Sequence, residues 1–547
     1  MFEKSPDKRK RLEEIIKSEA LVLKAEQPFM TSSSGKPTNW LLDLRRTMLK
    51  AEAMEYITDL FWDMYKDKYP FQVGGMEVAA VPLVTAIILK GREKGYDING
   101  FLIRKDRKQS GLGKNIEGVV TDDPVILVDD LLNSGSSMEK SKIIVAQEDQ
   151  NVREVFVIVD FQSSAGLQWR EKNNIAVNSI FTGEDLDLQF SQKRSTLKIE
   201  YKFVWRHYSE GAFPFHLVPK STPLLIDNYI YMGVSAGKML CIDRQSGETV
   251  WEFEAKGAGG KKGIWSSPAY HSGRIYFGAY NGNVYCITAD KGELVWENPS
   301  CDWVGSSPLI VPGHNMLYIG LEYERLRAKG SNAAFNLDTG SRVWETPQKK
   351  FQHGSAAYWE EDDLVIFGNA NHDITAYEAL TGKPVWTYDT DRSIKYPPAI
   401  DKERKIVVAS SFDGNIYILD VRTGEKKAAI QTNDICYSTP LIAFGKIFCG
   451  SGDKNMYIID ADTFKLVEKM DFHSRIFSSP RIIDENVIFG TNGGVIVELD
   501  PETHDVVGKT QLPDAVTNAV ASSEGGRYIY ASTHMNELYA IRRRRRA

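Results

Sequence analysis

Two adjacent acids, Asp129 and Asp130, end an apolar run, Val125-Ile-Leu-Val128, and are followed by the small and polar stretch Asn133-Ser-Gly-Ser-Ser137. A run of four apolar residues meeting acids predicts a parallel strand that leaves the core at its carboxyl end, where ligands of open α/β sheets gather. The stretch centred on Gly135 lets backbone N–H groups from Asn133 to Ser137 close around a phosphate. Ser136 and Glu139 read as a capping box, so a helix should begin there and aim its positive end at that anion. Three further segments carry possible chemistry. Thr31-Ser-Ser-Ser-Gly-Lys36 precedes Leu42-Asp-Leu-Arg45, Phe71-Gln-Val-Gly-Gly-Met-Glu77 contains two glycines that permit close backbone approach, and Phe101 to Gly111 holds Arg104, Lys105 and Lys108.

These residues need a scaffold, and the chain of 547 residues changes rhythm once along its length. Up to about residue 195, helical stretches alternate with short apolar strands at Phe71 to Val73, Phe101 to Arg104, Val125 to Val128, Val155 to Asp160 and Val177 to Phe181. That alternation predicts a parallel sheet flanked by helices. From residue 198 a four-strand unit recurs, marked by Gly-x-x-x-Trp at Gly247/Trp251, Gly292/Trp296, Gly340/Trp344 and Gly382/Trp386. The slot continues without Trp at Gly424, Phe464 and His504, with spacings of 45, 48, 42, 42, 40 and 40. A period of that length means an all-β propeller, and eight inner-strand starts such as Thr222-Pro223 and Ser267-Pro268 make it eight-bladed. The eighth unit stops at Tyr539-Ala-Ile541, before a fourth strand. Phe203-Val-Trp-Arg206 matches the missing strand, so residues 198 to 208 should close the ring and remove an exposed edge. The expected domains are 1–197 and 198–547. The repeated tryptophans are expected to pack between blades rather than to stack on a cofactor, while Trp265 and Trp303 fall near the propeller mouth.

Composition narrows the function classes. The net charge of -6 is mild, so nothing global indicates a nucleic-acid or membrane surface. Met1 to Lys17 alternates charges too densely for a signal-peptide core, and the best apolar run, Val78 to Leu89, is too short to span a bilayer. A cytoplasmic protein is expected. Five cysteines, all in the second half and without Cys-x-x-Cys spacing, read as reduced buried thiols. All nine histidines follow residue 206, so the first domain must work without imidazole chemistry. The block Arg542 to Arg546 reads as a solvated, disordered end.

The pattern from Val125 to Ser137 resembles the signature of the type I phosphoribosyltransferases, and the three further segments resemble their orotate branch. That resemblance implies a Mg²⁺-dependent glycosyltransferase using 5-phosphoribosyl 1-diphosphate and a nitrogen base. It assigns Asp129 and Asp130 to the ribose hydroxyls, and Asn133, Ser134, Gly135, Ser136 and Ser137 to the 5-phosphate. Gly74, Gly75, Met76 and Glu77 fall in its diphosphate loop and Ser34 and Lys36 in its amino-terminal substrate segment. Arg104, Lys105 and Lys108 fall in its mobile catalytic loop, where cations neutralise the departing diphosphate. The metal would be held mostly by substrate oxygens. Two positions depart from the branch: Ser110 replaces a loop histidine, and Phe161 replaces the arginine that grips the orotate carboxylate. Phe161 is expected to stack on a neutral base. The family also implies a homodimer.

The second half resembles the pyrroloquinoline-quinone-type propellers, without the secretory signal, vicinal disulfide or calcium constellation of their dehydrogenases. It is expected to bind a protein partner or ligand. Two functions remain open: an orotate-like phosphoribosyltransferase of unidentified base, or a non-catalytic sensor of a nucleotide or of the diphosphate sugar that signals through the propeller.

Overall fold

The computed structural model describes residues 8–23, 40–104, 115–186, 188, 197–212, 220–257, 263–323 and 329–546. The chain divides into two compact units, Met1–Thr196 and Leu197–Ala547. Among the described residues no helix is long and apolar enough to cross a membrane.

In the first unit, helix α1 (Lys8–Ile15) and a small hairpin, β1 (Leu21–Leu23) with β2 (Trp40–Leu42), precede α2 (Arg45–Met48) and α3 (Ala51–Tyr65). A six-stranded sheet follows, built from β3 (Gln72–Met76), β4 (Gly100–Ile103), β5 (Ile116–Gly118), β6 (Val125–Leu132), β7 (Val152–Asp160) and β8 (Ala176–Thr182). Its order is β5-β4-β3-β6-β7-β8, parallel except for the edge pair β4/β5. Helices α4 (Ala80–Glu93), α5 (Ser136–Ala146) and α6 (Ser164–Asn173) connect the strands. Strand periodicity sorts the core into two faces. Ile126, Val128, Phe156 and Ile158 pack with Phe61, Trp62 and Leu83, whereas Val125, Leu127, Val155 and Val157 pack with Met138, Ile144 and Trp169. Both faces of β6 are therefore buried, as its continuous apolar run requires.

The second unit has eight four-stranded antiparallel sheets. In the last sheet, strands Ala521–Ser522, Tyr528–Ser532 and Glu537–Arg545 are completed by Ile199–Tyr208, with Glu537 opposite Tyr208 and Arg545 opposite Ile199. The first strand of the propeller thus closes its last blade, as the repeat count predicts.

The Gly-x-x-x-Trp pattern has a direct cause. Each glycine has positive φ, and a Cβ on Gly292, Gly340, Gly382 or Gly424 would lie 2.4 to 2.6 Å from the indole of the preceding blade. Each indole in turn donates to a carbonyl of the following blade: Trp251 to Ala289 at 3.1 Å, Trp296 to Leu337 at 2.9 Å, Trp344 to Ala379 at 2.7 Å and Trp386 to Val421 at 3.0 Å. Trp205 makes the same contact with Gly247 and Arg244, so the closing strand obeys the blade rule. These tryptophans are inter-blade packing.

The arginine block differs from its expectation as a disordered end. Arg542 to Arg545 lie in the closing ladder, and strand alternation turns Arg543 inward while Arg542, Arg544 and Arg545 stay exposed. Buried Arg543 grips both oxygens of Glu498, at 2.8 and 2.5 Å, and Asp484 at 2.6 Å. Tyr201 and Asn486 donate to the same Glu498 carboxylate. Runs of like charge extend into solvent when no counter-charge is available, and here two carboxylates supply it.

Candidate active site

Strand β6 delivers Asp129 and Asp130 to its carboxyl end, in the middle of the sheet between β3 and β7. Asp129 is buried and Asp130 half-buried. Their local bonds are few: the Asp130 N–H donates to Asp129 at 2.9 Å, the Leu131 N–H to Asp130 at 2.8 Å, and the Ser137 hydroxyl to Asp129 at 3.4 Å. Among the described residues neither acid forms an ion pair. Burial, followed by the charge of Asp130, raises the pKa of Asp129, and burial raises that of Asp130. The guanidinium of Arg45, bound to Asp43 at 3.0 Å, is the cation whose field reaches Asp130 and opposes that rise.

Past the acids, the chain turns at Gly135 with φ of 78° and enters α5. A side chain at Gly135 would strike the Trp169 ring at 2.4 Å, so the tight turn needs glycine for both conformation and space. Glu139 does not close a capping box. Its carboxylate turns into the core and accepts from Trp169 Nε1 at 2.8 Å and Asn173 Nδ2 at 3.1 Å, which fastens α5 to α6. Ser163 holds the loop from the other side, donating to the Asn133 carbonyl at 2.7 Å while its oxygen caps α6 at Gly166. The result is a braced loop. Among the described residues, the backbone N–H groups of Asn133 through Ser137 make no hydrogen bond, and the first helical bond runs from Glu139 N to Gly135 O. Asn133, Ser136 and Ser137 are exposed. Unpaired N–H groups at the start of a helix form an anion site.

The remaining expected site residues fall as follows. Gly74 and Gly75 lie on β3, and their missing side chains make room for Phe101 and for Ala80 with the Val128 carbonyl. Met76 and Glu77 are half-buried at the end of the same strand, and the Glu77–Val78 peptide is cis. Arg104 follows β4, its backbone N–H bonded to Asn115 O at 2.8 Å and its side chain 3.1 Å from Glu117. Strands β4 and β5 are thus the paired arms of the basic loop. Ser34, Lys36, Lys105, Lys108, Ser110, Gly111 and Gly113 lie outside the described residues.

Phe161 packs in the apolar cluster around Phe156, Ile180 and Phe181, 9% exposed, which leaves little more than an edge for a ligand. The acid before it, Asp160, is held by Arg170 at 2.6 Å and by the Gln162 N–H at 2.9 Å. Sequence reasoning missed Ser163, Trp169 and the inward role of Glu139. Only the indole itself gave a signal, since a helix surface rarely leaves Trp without a polar partner.

The two units are similar to different known proteins. The first unit is similar to orotate phosphoribosyltransferases: 33% identity over 158 residues with that of Corynebacterium glutamicum (strain R), covering 29% of this chain and 82% of that one. With the Bradyrhizobium sp. (strain BTAi1) enzyme it is 30% over 141 residues, covering 25% and 76%. With the Aquifex aeolicus enzyme it is 28% over 179 residues, covering 32% and 97%. The family model described as outer membrane protein assembly factor BamB matches residues 202–328, 236–463 and 328–547. The crystal structure of BamB from Moraxella catarrhalis shares the propeller fold at 15% identity and a TM-score of 0.50, covering 63% of this chain and 98% of that one. The quinohemoprotein alcohol dehydrogenase of Comamonas testosteroni shares it at 14% identity and 0.51, covering 62% and 76%. The chain therefore belongs to the orotate phosphoribosyltransferase family through its first unit and to the BamB propeller family through its second.

Proposed function

We propose that the first unit is a Mg²⁺-dependent phosphoribosyltransferase that joins 5-phosphoribosyl 1-diphosphate to a nitrogen base. The observation that carries this reading is the juxtaposition of two unpaired carboxylates with five unbonded backbone N–H groups at one strand end. The N–H groups from Asn133 to Ser137 take the 5-phosphate, and Asp129 and Asp130 accept hydrogen bonds from the ribose hydroxyls. The C1–O bond to diphosphate breaks, the leaving group departs with the electron pair, and a base nitrogen closes on C1 and releases its proton. Arg104, Lys105 and Lys108 stabilise the charge gathering on the diphosphate.

The acid pair fits a divalent cation, because two adjacent carboxylates with raised pKa values gain from any added positive charge. Mg²⁺ would be held by Asp129, Asp130 and substrate oxygens, and it supplies charge neutralisation at the diphosphate. On the base side, Phe161 in place of arginine favours a neutral ring over orotate. The five free thiols fit a reducing, cytoplasmic compartment.

Purified protein incubated with Mg²⁺, 5-phosphoribosyl 1-diphosphate and a panel of bases should release diphosphate and yield one nucleotide by mass detection. Buried Phe161 also supports a second reading, a sensor that holds the diphosphate sugar without turnover. Tight binding with no nucleotide from any base would select it.

A further inference from the structure

A cavity lies in the propeller, far from the acid pair in sequence. It encloses about 470 Å³ and is walled by the inner-strand starts of all eight blades, from Thr222 round to Ala519. A hydrogen-bonded belt sets the wall: the Thr222 N–H donates to Ser267 Oγ at 3.0 Å, Ser267 N–H to Ser307 Oγ at 2.9 Å, Ser307 N–H to Ser355 Oγ at 2.8 Å, and Thr439 N–H to Ser479 Oγ at 2.9 Å. A hydroxyl that accepts from backbone keeps its own proton for another acceptor.

Lys220, Lys395 and Arg481, from blades one, five and seven, line the cavity, and burial pushes the Lys220 ammonium down to about 7. The Lys220 ammonium is 2.8 Å from the His534 carbonyl and 5.2 Å from the Trp265 ring centre, and that of Lys395 is 4.8 Å from the Phe412 ring centre. The Arg481 side chain forms no hydrogen bond or ion pair among the described residues. Arg481 is exposed at the cavity, and desolvation by the surrounding wall pushes its guanidinium below the ordinary value. The buried carboxylate Glu322, behind Gly305 of the wall, has the His353 ring at 2.9 Å. Lys395 and Arg481 bring positive charge to the wall. Four aromatic rings also line it, Trp265, Tyr280, Tyr396 and Tyr437. Tyr396 and Tyr437 meet edge to face at 5.5 Å and 87°, and across the axis Trp265 meets Tyr280 at 5.5 Å and 66°. Trp303, in contrast, packs on Phe351 and is not part of the wall.

The geometry points to a second binding site: the axial cavity takes a nucleoside 5′-monophosphate, its phosphate dianion against Arg481 and Lys395 and its base among the tyrosines. A guanidinium forks onto two phosphate oxygens, and a lysine adds a point charge. The volume falls in the range of roughly 300–1,000 Å³ typical of small-molecule pockets. The aromatic walls favour a planar ring over a bare anion. This site stands whether or not the first unit transfers phosphoribosyl groups.

The test is titration calorimetry of the full chain with uridine 5′-monophosphate, with Trp fluorescence as a second readout. Saturable binding is expected, with uridine and inorganic phosphate each weaker by at least about tenfold. Arg481→Gln and Lys395→Gln should each weaken it by about tenfold or more, and Arg481→Gln should do so with an unchanged melting curve. The Asp129→Asn/Asp130→Asn double variant should keep the binding that depends on Arg481 and Lys395. No binding by the wild type, equal binding of inorganic phosphate, tighter binding of pyridine-2,6-dicarboxylate, or indifference to both cation variants would overturn the proposal. Loss of all binding in the double variant would also overturn it, by placing the nucleotide in the first unit alone.

Discussion

Two clusters of charge, one in each unit, are each carried on β-strands and end in opposite states. In the propeller, Glu498 and Asp484 close on Arg543, and Tyr201 and Asn486 satisfy the remaining carboxylate lone pairs. In the first unit, Asp129 and Asp130 lie beside one another with no ion pair among the described residues, next to a loop of unbonded N–H groups. A satisfied buried pair holds structure together, whereas adjacent like charges persist only where something outside the chain completes them. The difference separates scaffold from site without reference to any relative.

The strongest way to break this contrast is to neutralise both acids. Asp129→Asn/Asp130→Asn should lower nucleotide formation by about a thousandfold or more, as for removal of transition-state electrostatics. It should also leave the ligand-free fold as stable or more stable by about 0.5–2 kcal/mol, because a site's strain is relieved. Turnover and thermal melting of the same preparation check both halves. A fall in both would make the acids structural.

Removing the other cluster's cation should do the reverse. Arg543→Met should cost about 3–5 kcal/mol by stranding Glu498 in the core, read as an earlier propeller transition in denaturant. Glycosyl transfer at permissive temperature should be unchanged.

Between the two clusters, legibility in the sequence was uneven for physical reasons. The acids and phosphate loop are contiguous, so Val125 to Ser137 displayed strand, turn and helix start in order. The propeller was legible because Gly-x-x-x-Trp repeats a single clash-and-cap contact, Gly382 under Trp344 for example. Arg543 was misread because its partners lie 45 and 59 residues away in the chain, and local charge density alone suggests a solvated tail. A lone acid in the apolar strand Val495–Leu499 was the available hint. The braces Ser163 and Trp169 escaped notice because contacts between successive connections leave no spacing signature.

The two units should also respond to acid in opposite senses. Backbone N–H groups in the blade turns hold Asp243, Asp460 and Asp500 below the ordinary carboxylate range, and partial burial against similar bonds leaves Asp420 low as well. A depressed carboxylate gives stability that is present above its unfolded value and lost as pH falls through the folded one, so the propeller should weaken below about pH 4. Asp129 and Asp130 are raised, so their folded forms bind protons more tightly than the unfolded chain. The first unit should therefore gain stability as pH is lowered from neutrality toward about 5. Calorimetric scans at stepped pH would show the two transitions diverging, and parallel movement would dissolve the contrast.

The smallest effect tests the blade rule. Gly382→Ala, with φ of 71° and the Trp344 ring 2.4 Å from its Cβ, should cost more than Gly445→Ala, whose φ is 67° and whose Cβ would meet nothing within 4 Å. The second should cost about 1 kcal/mol from backbone alone, and the first about 1–3 kcal/mol more from the clash. Equal losses in denaturant melts would remove the tryptophan contact from the explanation.

The central claim is that the unpaired acids and the loop after them form a phosphoribosyl-diphosphate site. Titration of 5-phosphoribosyl 1-diphosphate with Mg²⁺ into the wild type and the Asp129→Asn/Asp130→Asn variant measures this directly. Saturable one-to-one binding by the wild type that is lost in the variant is the predicted result. Absence of binding by the wild type, or equal affinity in both proteins, would contradict it.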